Sequence, residues 1–266
     1  MKSNRHISDS RLNASLWMGL WVWLTLFSSI ATVNGQTSPP QEDATVQISS
    51  DLTPDDVIQG WIEAMGGEML LSSIETMSIH AKYLGGGTDM SNEIYFKEGK
   101  FWKGSESNFT FFDGEDWTRS IDGRVTELEQ DVHRQYELHF DLPVDALRVQ
   151  AMADRLNIEL PGAHDNDMFP DCICLKMKDP GEVDVLRFFD PETYMLKGID
   201  RLDLEAGEWT KGFRIYDLEY DEHEGITYLK KAKRTNFTPW VCETTYSDLK
   251  IDPELKPGLF DIDKGK

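Results

Sequence analysis

The side chains able to do chemistry in this 266-residue chain are carboxylates before anything else, 48 Asp and Glu against 27 Lys and Arg. The densest group is Asp217, Glu219, Asp221, Glu222 and Glu224. Such a group would suit a hard cation bound through oxygen, or a carboxylate pair flanking a glycosidic bond. A calcium loop needs Gly at a fixed offset and a terminal Glu, a pattern this segment lacks, so the plainer account is the solvated end of a strand. A glycosidase pair needs only nearness in space, which spacing along the chain does not give. Beyond His6, the histidines are His80, His133, His139, His164 and His223, no two of them two or four residues apart, so no local metal pair is written into the sequence. The motifs Gly-x-Ser-x-Gly, Gly-x-Gly-x-x-Gly, His-Glu-x-x-His, Cys-x-x-Cys and the phosphate-binding Gly-rich loop are all missing. The residues therefore predict no catalytic centre, no metal and no cofactor, and an unrecognised hydrolase stands as the third reading.

Three cysteines, Cys172, Cys174 and Cys242, are too few for a disulfide scaffold. One bridge, from Cys242 to Cys172 or to Cys174, is one alternative; structural thiols are the other. Zinc spacing is not met.

Net charge is −21. Such a chain is repelled by a phosphate backbone, and no basic patch interleaved with aromatics offsets it, so nucleic acid is not an expected partner. With 39% hydrophobic and 11% aromatic residues, the chain has enough apolar surface to offset the entropy of ordering its backbone, which predicts a globular protein.

The elements that would position these side chains begin after a distinctive start. Lys2, Arg5 and Arg11 precede an apolar run from Leu16 to Ile30, followed by the small and polar residues Ala31 to Gly35. This is the profile of a signal peptide over residues 1–35, cleaved after Gly35 or, alternatively, after Ala31. An uncleaved anchor is the other reading, but the run is shorter than the roughly 20 residues a spanning helix needs. No Cys ends the run, so a lipid-modified N-terminus has no attachment point, and the expected location is periplasmic or secreted. Residues 36–51, rich in Ser, Thr, Pro and Gln, read as a flexible leader. Residues 52–266 read as a single domain, since no Pro- or Ser-rich linker interrupts them.

Within that domain, Thr53 can cap a helix whose first turn is Pro54-Asp55-Asp56. Val57, Ile58, Trp61, Ile62 and Met65 fall on one face of it, and Gly66-Gly67 closes it. A short turn is expected over Glu68 to Ser73. From Met77 the apolar period changes to two: Ile79, Ala81 and Tyr83 alternate with His80 and Lys82, and Ile94 and Phe96 with Glu93, Tyr95 and Lys97. Glu98-Gly99, Asp113-Gly114 and Asp122-Gly123 predict tight hairpin turns and antiparallel neighbours. One or two helices are expected between Glu127 and Leu156, and strand character is expected again from Ile158, including one segment beginning at Tyr194. The total is about ten or eleven strands in one antiparallel sheet, with helices covering a face that would otherwise be wet.

Four pieces, in order, resemble the LolA-like superfamily of bacterial outer-membrane lipoprotein-sorting proteins. They are Trp61-Ile62-Glu63-Ala64-Met65-Gly66-Gly67 with Ile74-Glu75-Thr76; Asp190-Pro191-Glu192-Thr193-Tyr194-Met195-Leu196; Tyr216 to Ile226; and Leu259-Phe260-Asp261-Ile262. A Pro expected soon after Gly225-Ile226 is replaced by Thr227-Tyr228. The resemblance implies a mainly β, α+β fold, an unclosed antiparallel barrel with helices as a lid over a hydrophobic cavity that takes acyl chains. The expectation is an exported non-enzymatic carrier or chaperone for a lipidated protein or other amphiphile, with lipoprotein or lipid cargo and a membrane-associated donor or acceptor protein as partners. Its cavity candidates are Trp61, Ile62, Met65, Ile79, Ala81, Tyr83, Ile94 and Phe96; the alternative is an extracytoplasmic binding or scaffold module in which these residues are simply core.

Overall fold

A computed structural model describes residues 51–85, 88–113, 117–127, 142–161, 167–178, 184–202, 212–235 and 241–261, all within one compact unit, Ala44–Lys266. The signal-peptide profile, the leader up to residue 50, His133, His139, His164 and Gly114 lie outside these residues.

Helix α1 (Pro54–Ala64) starts where its sequence punctuation puts it. Thr53 Oγ1 accepts from the Asp56 amide at 3.2 Å, and the Asp56 carboxylate accepts from the Thr53 amide at 2.9 Å, a reciprocal capping box. The hydroxyl and amide of Thr53 hold the Asp56 carboxyl below the usual carboxylate range. The helix buries Val57, Ile58, Trp61 and Ile62 on one face. It ends at Gly66, whose φ of +132° and whose approach to the Gly225 carbonyl, 2.9 Å from where a Cβ would sit, both require glycine. The Met65 carbonyl then accepts from the Thr227 amide at 3.0 Å, tying the helix end to the sheet. Helix α2 (Glu68–Ser72) follows, and α3 (Asp145–Ala151) and α4 (Ala153–Leu156) come from the central insertion.

Twelve strands form one sheet: β1 (Thr76–Gly85), β2 (Thr88–Lys97), β3 (Lys100–Gly104), β4 (Phe109–Phe112), β5 (Trp117–Ile121), β6 (Arg124–Glu127), β7 (Ile173–Lys178), β8 (Asp184–Phe189), β9 (Leu196–Leu202), β10 (Phe213–His223), β11 (Ile226–Thr235) and β12 (Val241–Ile251). Their order is β6-β5-β4-β3-β2-β1-β12-β11-β10-β9-β8-β7, antiparallel throughout. Every neighbour is also a sequence neighbour, except that β1 pairs with β12. The sheet is not closed: its two edges, β6 and β7, flank the stretch of chain that carries α3 and α4. Glu98-Gly99 and Asp122-Gly123 both carry positive φ at both residues (47° and 82°, 50° and 77°), the geometry that matches hairpin turn to strand twist.

Three expectations are corrected in detail. The count is twelve where about ten or eleven are expected: Phe109 to Phe112, which reads as a strand, forms β4, whereas β6 is only four residues long and leaves little periodic signal. Ile158 does not begin a strand: a lone bridge from Glu159 to Lys176 is all that forms there. Strand β9 begins at Leu196, not Tyr194, because the Asp190 carboxylate accepts from the amides of Glu192 (3.0 Å) and Thr193 (2.9 Å) and holds a turn that ends with Tyr194 at φ 56°.

All three thiols are free, so the structural alternative holds for the cysteines. Four strands separate β12, which carries Cys242, from β7, which carries Cys174. At about 4.8 Å per strand that is far beyond the roughly 7 Å Cα limit of a bridge. Burial pushes the Cys174 thiol up to about 12, which keeps it inert.

Candidate functional site

The inner face of the sheet is built by parity. Ile79 lies opposite Ile94, Met77 opposite Phe96, Phe96 opposite Phe101, and Ala81 opposite Tyr246 on the other flank. The same parity on β7 and β8 brings in Ile173, Leu175, Met177, Val185 and Phe189. Helix α1 lies over this face, with Trp61 meeting Phe189 edge-on at 5.5 Å, and packs laterally on α3.

The eight sequence-predicted residues are all brought together here. Trp61 (3% exposed), Ile62, Met65, Ile79, Ala81 and Ile94 are buried members of one continuous apolar cluster, and Tyr83 and Phe96 are half-buried against it. In this state the side chains pack on one another, so helix face and sheet face meet directly. The acidic group 217–224 lies along β10 and its turn: Asp217 pairs with Lys233 at 2.8 Å, Asp221 with Lys230 at 2.9 Å, and Glu219 with Lys231 at 3.7 Å. That is a solvated ladder of cross-strand ion pairs, and among the described residues no group of three or more His, Cys, Asp and Glu is arranged to hold a metal.

Buried charge at the helix–sheet boundary escaped the sequence reading. Arg187 on β8 is fully buried, its guanidinium lying over the Trp61 ring at 5.1 Å. Burial pulls its pKa down to about 10, opposed by the negative charge of Asp145. Asp145, at the start of α3 and 1% exposed, accepts from Arg148 Nη1 at 2.8 Å and from the Leu142 amide at 3.0 Å. A buried carboxylate and guanidinium therefore sit where α1, α3 and β8 converge. The signal was present: Arg187 interrupts the apolar run Val185-Leu186-Arg187-Phe188-Phe189 at an inward parity. Two glycines mark close approaches. Tyr194 packs its ring root against Gly60 of α1, and Phe169 lies across Gly198 of β9.

No protein-family model matches the sequence, and no curated protein matches it. Solved structures do. A DUF1329 family protein from Desulfovibrio piger superposes with a TM-score of 0.50 at 10% identity, over 77% of this chain and 96% of that one. A LolA superfamily protein from Nitrosomonas europaea superposes with a TM-score of 0.52 at 11% identity, over 79% of this chain and 97% of that one. At such identities the likeness is one of fold. The unclosed antiparallel sheet, its β1–β12 seam and the helices laid on its inner face give this chain the LolA-like open-barrel fold.

Proposed function

We propose that the protein is an exported, non-enzymatic carrier or chaperone that holds the acyl part of a lipidated protein or another amphiphile between the inner face of its sheet and its covering helices. The observation that carries this reading is the continuous apolar cluster that joins an unclosed sheet to the helices laid over it. An acyl chain exposed to water costs about 0.8 kcal/mol per methylene, so cargo can replace lid contacts wherever helix and sheet separate. Trp61, Ile62 and Met65 on the helix, and Ile79, Ala81, Tyr83, Ile94 and Phe96 on the sheet, exchange contact with each other for contact with the chain. Among the described residues, α1 is tied at its end by the Met65–Thr227 backbone bond, at its flank by a Gln150–Gln59 side-chain bond at 3.3 Å, and on its buried face by the Arg187 guanidinium over Trp61. A membrane-associated donor or acceptor would deliver and receive cargo at the same opening.

The complete burial of Ile62, Ala81 and Ile94 favours a second reading, a scaffold module whose core stays filled. Titration with a fluorescent fatty-acid analogue, with native mass spectrometry of protein purified from its own host and hydrogen exchange of α1, separates the two. The carrier takes up the analogue, retains lipid in the gas phase and changes the protection of α1. Empty protein that ignores the analogue and keeps α1 protected throughout refutes carriage.

A further inference from the structure

The outer face of β1–β4 holds a cavity that the carrier reading does not use. Its volume is about 580 Å³, within the range of small-molecule sites. The floor is a row of aromatic rings on adjacent strands: Tyr95 to Trp102 at 5.4 Å between centroids, and Trp102 stacked on Phe109 at 5.6 Å with 28° between planes. These rings have the opposite parity to Ile94 and Phe101, so they belong to the sheet's other surface.

The C-terminal segment supplies a fixed wall. At its start Asp252 Oδ1 accepts from the amides of Glu75 (2.9 Å) and Thr76 (3.0 Å), the Asp252 amide donates to the Thr76 carbonyl, and Thr76 Oγ1 donates to the Pro253 carbonyl. At its end Phe260 packs on the buried Phe111 ring at 5.9 Å. Between these anchors, residues 256–259 border the cavity.

The rim decides the class of ligand. His80 Nδ1 meets Glu93 at 2.9 Å directly across the β1–β2 register, and Lys256 Nζ meets Glu106 at 3.3 Å across the mouth. Each carboxylate is thus already matched to a nitrogen partner. An anion would face Glu93 and Glu106 on a chain of net charge −21, and a cation would have to compete with Lys256. A wholly apolar ligand would strip water from four polar groups and return nothing. A neutral polyhydroxylated ring meets all of these demands: its C–H face lies on the electron-rich aromatic faces, and its hydroxyls donate to Glu93, Glu106 and His80 Nε2, the ring nitrogen left as acceptor when Nδ1–H donates to Glu93, while accepting from Lys256. We infer that this outer cavity, floored by Tyr95, Trp102 and Phe109 and rimmed by Glu93, Glu106 and Lys256, is a binding site for a neutral saccharide.

The test is calorimetric and saturation-transfer NMR titration of the full mature chain with maltotriose and with N,N′,N″-triacetylchitotriose, set against choline and trigalacturonate. Saturable millimolar or tighter binding of a neutral trisaccharide is expected, with choline and trigalacturonate silent. Glu93→Gln, at an exposed position, and Phe109→Ala should each weaken it about tenfold, while uptake of a fluorescent fatty-acid analogue stays unchanged. Circular dichroism and an unfolding midpoint matched to the parent verify that Glu93→Gln is folded. Silence of both neutral sugars, preference for either charged probe, or affinity indifferent to Glu93→Gln in the folded variant overturns the assignment.

Discussion

Gly60→Ala measures how tightly α1 is seated. In an isolated helix interior this substitution is favourable by about 1 kcal/mol. Here the new Cβ would lie 2.7 Å from both Cδ atoms of Tyr194 and closer still to Cγ, the root of the ring, which a χ2 ring flip does not move. Overpacking of this kind costs about 1–3 kcal/mol, so the net effect in the parent is a loss of up to about 2 kcal/mol. In a Tyr194→Ala background the obstacle is gone. The positive φ of 56° at residue 194 burdens Ala about as it burdens Tyr, so that strain cancels in the cycle. There Gly60→Ala should stabilise by about 1 kcal/mol, giving a coupling energy of about 1–3 kcal/mol. Urea unfolding of the four proteins reads the cycle, and a domain of this size should shift in Tm by about 2–4 °C per kcal/mol. The same variant should admit a fluorescent fatty-acid analogue faster, because the helix is lifted from the face it covers. Gly60→Ala that is neutral or stabilising in the parent, with no sign reversal in the Tyr194→Ala background, would refute the seating of α1 described above.

Further substitutions probe the same boundary. Trp61→Ala removes the edge contact to Phe189 and uncovers the Arg187 guanidinium, and should cost about 3–5 kcal/mol by chemical denaturation. Asp145→Asn leaves Arg148 and the buried Arg187 without their carboxylate and should cost about 3–5 kcal/mol, an effect insensitive to salt because the group is out of solvent. Burial raises the Asp190 pKa, but the amide bonds of Thr193 and Glu192 outweigh it and hold the group below the usual carboxylate range. Its stabilisation is therefore present above the unfolded-state pKa of about 3.9 and disappears as pH falls through the lower folded value; the stability gap between parent and Asp190→Asn, read by urea titration from pH 6 to pH 2, should close over that window. Alkylation of native protein by iodoacetamide should label Cys172 and Cys242 before Cys174, and a non-reducing peptide map should show no bridge among the three.

The helix face of α1 was legible because a capping box, an N-terminal proline and apolar residues at helical spacing all agree locally. So was the parity of Ile79, Ala81, Ile94 and Phe96, since a period of two survives wherever one face is dry. Local rules lost their grip at β6, where four residues hold too little pattern, and at Tyr194, where the Asp190 carboxylate, bound to the amides of Glu192 and Thr193, extends a turn into the expected start of a strand. The outer aromatic row was written in the sequence as Tyr95 and Trp102 but had no visible purpose there, because its far wall comes from residues more than 150 positions away.

By itself the sequence determined which residues seek a dry environment and where the chain turns, because hydrophobic periodicity and turn chemistry act over a few residues. Only the tertiary structure decided that β1 pairs with β12, that the opening falls between β6 and β7, and that the charges of Arg187 and Asp145 are both buried, close enough for Asp145 to raise the Arg187 pKa against burial. Those outcomes depend on contacts between segments far apart in the chain, whose closure energies no local pattern records.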